Sequence, residues 1–174
     1  MCKSCFLFGH ADTPQSIYSD LEQAIKNEVR RGISVFYVGY HGDFDHMAAS
    51  ALRAIKRQYS GITVMLLLSY HPAEKSIETP SDFDGTFYPP MEGIPRKYAL
   101  IRANQYMVKA ADSLICFVNH PGNTRNLLEY AKKETSEKNI TNIAEKRPDL
   151  LYCDSSGKKE GCPTNVRQPR LNQS

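Results

Sequence analysis

The apolar residues of this chain follow two alternating periods. The stretches "CFLF" (5–8), "ISVFYVG" (33–39), "ITVMLLLS" (62–69) and "SLICFV" (113–118) are short continuous apolar runs, the pattern of strands buried on both faces of a parallel sheet. Between them the apolar positions recur at helical spacing. Ile17, Leu21, Ala24, Ile25 and Val29 predict one helix, and Met47, Ala48, Ala51, Leu52 and Ile55 a second. A third is expected over 95–111 and a fourth from about 124 to 134, with "NITNIA" (139–144) as a candidate edge strand. Asp12 or Thr13 is placed to cap the first helix, with Pro14 in its first turn, and Arg30, Arg31 and Gly32 suit its end. Strands alternating with helices predict an α/β fold: a single Rossmann-like three-layer domain with a mainly parallel sheet and helices on both faces.

The pattern lapses twice. Residues 70–94 are polar and carry Pro72, Pro80, Pro89 and Pro90, which predicts a long loop and a candidate lid over a site. From about 145 the chain is polar with few large apolar residues. The expected organisation is therefore a domain over 1–144 and a loosely ordered tail over 145–174. No internal repeat is visible.

At 174 residues the chain suits one domain, and its 41% apolar and 24% charged residues are ordinary for a globular protein. A net charge of +3 admits an anionic small ligand, and no basic run with interleaved aromatics calls for nucleic acid. No segment approaches the ~20 apolar residues that span a bilayer, and the N-terminal apolar run is too short for a signal peptide. The expectation is a cytoplasmic protein without membrane contact. Its cysteines, Cys2, Cys5, Cys116, Cys153 and Cys162, are then expected as reduced thiols. A zinc site from the Cys2/Cys5 pair with Cys153 and Cys162 fits usual ligand spacing poorly.

In parallel α/β sheets ligands bind at the carboxyl ends of strands, near a reversal of strand order. The turns at those ends bring Gly9 and His10; Gly39, His41, Gly42, Phe44 and Asp45; Ser69 and Tyr70; and Gly122, Asn123 and Thr124. The crowded "HGDFDH" (41–46) has a metal reading. It resembles the HxHxDH motif of metallo-β-lactamase-type enzymes, with Asp43 for the middle His, and the Asp-rich strand end of DHH phosphoesterases, without a DHH triplet. The same turn also reads as a binding loop. Gly39 and Gly42 allow close approach of a ligand, and the following helix start favours an anion. Asp43 or Asp45 serves there as helix cap, or Asp45 as ribose acceptor. Arg102 and Asn104 sit on the helix before the fourth run, with Arg102 a candidate phosphate contact.

Taken together, "CFLFGH" (5–10), "GYHGDFDHMAA" (39–49), "RANQYMVKAADSLICFV" (102–118) and "GNTRNLLEYA" (122–131) resemble the SLOG superfamily, in particular its YpsA-like bacterial branch. The departures are Ala11 for the family's Arg after Gly-His, Ala103 between Arg102 and Asn104, and Asn123 for the second glycine of a Gly-Gly-Thr turn. The resemblance implies a Rossmann-like sheet that binds a nucleotide or nucleotide-derived molecule as a sensor or binding protein, and a candidate homodimer. No cofactor and no metal are expected. The alternative is a LOG-like phosphoribohydrolase that cleaves the N-glycosidic bond of nucleoside monophosphates. The LOG glutamate is missing after "PGNT", so the candidate catalysts are Asp45 and His10. A metal-dependent phosphoesterase centred on 41–46 is the remaining alternative.

Overall fold

The computed structural model describes residues 2–73, 78–135 and 138–151. The strands are β1 (Lys3–Gly9), β2 (Ile33–Val38), β3 (Thr63–Leu67), β4 (Gly85–Phe87), β5 (Ser113–Phe117) and β6 (Asn139–Asn142). They form one six-stranded sheet in the order β4-β3-β2-β1-β5-β6, and every adjacent pair is parallel. The helices are α1 (Tyr18–Arg30), α2 (Asp43–Lys56), α3 (Ala99–Ala110) and α4 (Asn123–Glu134). This is the three-layer, Rossmann-like arrangement that the apolar runs predict.

Both sheet faces are covered, which is why the strands lack polar alternation. On one face Leu21 and Ile25 of α1 and Leu52 and Ile55 of α2 pack with Leu7, Phe36, Val64 and Ile115. On the other, Met107 and Val108 of α3 and Leu127 and Leu128 of α4 pack with Phe6, Phe8, Leu114 and Cys116. Helix α1 stops at Gly32, whose φ of +90° is a conformation that glycine adopts without strain. Its start differs from expectation. Neither Asp12 nor Thr13 caps it; a 3-10 turn over Gln15–Ile17 leads in, and Thr13 Oγ1 donates to the His10 carbonyl at 2.6 Å.

Two further regions depart from the apolar pattern. The stretch expected as a loop over 70–94 contains β4, one of the sheet's two outer strands. Asp84 holds it in place: its N–H donates to Val64 O (2.8 Å), and its carboxylate accepts from Val64 N–H (2.7 Å). Folded chain also continues past 144. A 3-10 turn over Ile143–Lys146 and another over Pro148–Leu150 lie against the domain, with Leu150 packed on the core. Arg147 Nη1 donates to Ser16 O in the 3-10 turn before α1 and to Asp20 Oδ2 of α1, each at 3.0 Å. Cys153 and Cys162 lie outside the described residues.

Candidate functional site

The chain steps outward from β1 to β2, β3 and β4, then returns to the other side of β1 with β5 and β6. The order therefore reverses between β1 and β5. The helix after β1 packs on one face and the helix after β5 on the other, so their turns diverge at the carboxyl edge, the position of the ligand crevice in sheets of this kind.

His10 ends β1 and His120 follows β5, and their rings stack across the crevice at 3.5 Å between centroids and 16° between planes. His10 is 4% exposed, and its Nε2 has no hydrogen-bond partner. Burial, then the neighbouring His120, lowers its pKa to about 4, so it is neutral in the fold. His120 Nδ1 lies 2.8 Å from Pro121 O, and its Nε2 lies 3.1 Å from Asp12 Oδ1. The hydrogen bond from His120 holds the Asp12 carboxyl below the ordinary carboxylate range.

Helix α4 begins at the same crevice. Its N-cap is Gly122, with φ +142° and no side-chain cap, so the first N–H groups of the helix are not taken by a capping side chain. Arg125 stands in this first turn, near enough to His10 to help lower its pKa, and its Nε is buried without a partner. A cation at a helix N-terminus opposes the dipole, so its presence there calls for another reason.

The turn after β2 is organised inward. A Cβ on Gly9 would lie 2.3 Å from the Phe44 ring, one on Gly39 2.7 Å from Asp45 Oδ2, and one on Gly42 2.5 Å from Ala11 Cα. These glycines give room to neighbouring parts of the same protein. Phe44 is wholly buried beneath β1. Asp45 Oδ2 accepts from the His41 N–H at 3.0 Å, reaching back beyond the N-cap, Gly42. Burial raises the Asp45 pKa to about 6 despite that bond. Asp43 N–H donates to Ala11 O at 2.9 Å, which couples α2 to the β1 turn.

The remaining predicted residues lie elsewhere. Ser69 and Tyr70 line a cavity of about 460 Å³ at the ends of β3 and β4, with His71, Tyr88, Met91 and Arg96; the Arg96 guanidinium lies 5.7 Å from the Tyr70 ring centroid. Asn104 and Asn123 share a small cleft of about 140 Å³ between α3 and α4. Arg102 is exposed on α3 and donates to Gln105 Oε1 at 3.2 Å. The structure thus brings His10, Gly122 and Thr124 to the crevice and its helix start. It sets Gly9, Gly39, Gly42, Phe44 and Asp45 into the packing behind.

Sequence reasoning missed Arg125, His120, Asp12 and Arg96. The available signals were a cation in the first turn of a helix and a histidine in each of two strand-end turns. For the thiols, Cys2 is exposed and Cys5 is buried in β1, where burial pushes its pKa up to about 12. Among the described residues no helix is long and apolar enough to cross a membrane. The chain matches no protein-family model and no curated protein.

Proposed function

We propose that this protein is a cytoplasmic sensor or binding protein for a nucleotide-derived small molecule, with the ligand's phosphate at the crevice between the β1 and β5 turns. One observation carries the reading: the start of α4, free of a side-chain cap, coincides with Arg125, whose buried Nε donor has no partner. Exposed N–H groups, the helix dipole and a guanidinium together suit a phosphate, and the place is where sheets of this kind take ligands. The resemblance of "GYHGDFDHMAA" and "GNTRNLLEYA" to SLOG proteins points to the same ligand class. The homodimer that this resemblance implies belongs to the proposal, and Tyr98, Leu100 and Ile101, 47%, 40% and 42% exposed, are apolar residues available to it. A monomer at all concentrations in sedimentation would remove that part.

Thermal shift against nucleoside monophosphates, cyclic nucleotides and NAD derivatives tests the ligand. The expected result is stabilisation by at least one, with affinity about tenfold or more weaker in Arg125→Gln, the loss of one charged hydrogen bond. No response to any of them overturns the reading. The hydrolytic alternative loses Asp45 as its catalyst, because that carboxylate is engaged by His41 N–H beneath Gly39, and rests on His10 alone. Free base released from nucleoside monophosphates in the same samples would revive it.

A further inference from the structure

We infer that His10, Asp12 and His120 form a binding site for one divalent transition-metal ion of the zinc class. Each brings a ligand-capable atom within 4.8 Å of the other two, from turns on the two sides of the strand-order reversal. The sequence directs attention to His41, Asp43, Asp45 and His46 for a metal; the cluster forms instead one turn away.

Three features make this a built site. First, His10 Nε2 is a buried ring nitrogen without a partner, and buried polar atoms are nearly always satisfied by protein, water or an ion. Second, the His120 ring is held from behind: its Nδ1 meets the Pro121 carbonyl at 2.8 Å. A backbone bond at the far nitrogen is how metal-ligating imidazoles are usually oriented. Third, two imidazoles and one carboxylate are the donor set of three-ligand zinc sites with an open position, whereas calcium and magnesium take oxygen ligands.

The spacing of the three groups bears on how they would meet an ion. His120 Nε2 and Asp12 Oδ1 are 3.1 Å apart, close to the roughly 3.4 Å edge of a tetrahedron with metal–ligand bonds of ~2.0–2.1 Å. Rings stacked at 3.5 Å and 16° direct their lone pairs side by side, so binding must open the stack. Asp12, with its side chain 75% exposed, and the partly exposed His120 are the members placed to swing, while His10 stays in the core.

The inference is independent of the nucleotide reading, so its test omits nucleotide. The full chain is titrated with Co²⁺, then Zn²⁺, in metal-free buffer. Expected are one equivalent of Co²⁺ with the strong visible bands of a low-coordinate ion, no thiolate charge-transfer band, and displacement by Zn²⁺. Asp12→Ala and His120→Ala, on proteins whose thermal melts show them folded, should each weaken binding about tenfold or more, and His46→Ala should leave it unchanged. Absence of saturable binding overturns the site. So does a thiolate band, which assigns the ion to cysteines, or unchanged affinity in both ligand variants. Failure of nucleotide binding with cobalt binding intact leaves this site standing.

Discussion

Gly39 and Asp45 work as one device. The missing Cβ at 39 leaves the space that Asp45 Oδ2 occupies, and that oxygen holds the His41 N–H. Gly39→Ala places a methyl 2.7 Å from the oxygen, so either the bond or the backbone gives way. The expected cost is about 1–3 kcal/mol in urea unfolding, the usual penalty of overpacking. The same carboxyl predicts a pH effect. Its folded pKa, raised to about 6 by burial, exceeds the ordinary 3.8, so the native state holds this proton more tightly than the unfolded chain does. Its contribution to stability is therefore greatest below about pH 4, declines as pH rises to about 6, and levels off above that. Asp45→Asn keeps an oxygen for His41 and cannot ionise. It should remove this decline, of order 3 kcal/mol across the window, while a wild-type decline retained in the variant would assign the titration to another group.

At the scale of elements, side chains extend the sheet where the backbone pattern ends. Asn142, at the end of β6, accepts from Val118 N–H (3.0 Å) and donates to Val118 O (3.1 Å), so it continues the β5–β6 pairing into the turn that carries His120. Asn142→Ala leaves both groups of a buried residue unpaired, for a loss of roughly 2–4 kcal/mol. Hydrogen exchange should locate the loosening at 118–122, and loosening spread evenly over the chain would contradict the role. The same principle explains what the sequence could show. The long strands and all four helices are legible because their apolar periods are complete within the segment. The outer strand β4 is not, because "GTF" is held by Asp84 reaching to Val64. The strand-end turns are legible as Gly- and His-rich. The reasons for their glycines are not, since Phe44, Asp45 and Ala11 meet them only in the folded chain. The meeting of His10 with His120 depends on β1 lying beside β5, which no local pattern encodes.

For the molecule as a whole, the end of the described chain completes the site from behind. After β6 the segment passes along α1, where Arg147 donates to Ser16 O and Asp20, and then reaches the β5 turn. There Asn119 Nδ2 donates to Leu150 O at 2.7 Å. Asn119 immediately precedes His120, so residues 145–151 brace one wall of the crevice while α1, through Arg147, braces them. Two shortened chains separate this from any effect of later residues: one ending at 151 and one ending at 144. The difference between them reports the Arg147 and Asn119 bonds and the partial burial of Leu150, so the chain ending at 144 should unfold at a lower urea concentration. The chain ending at 144 should also bind Co²⁺ more weakly than the chain ending at 151, because His120 loses the support of its neighbour. Equal stability and equal cobalt affinity would show that the crevice holds its shape without this brace, and would return the functional domain boundary to 144.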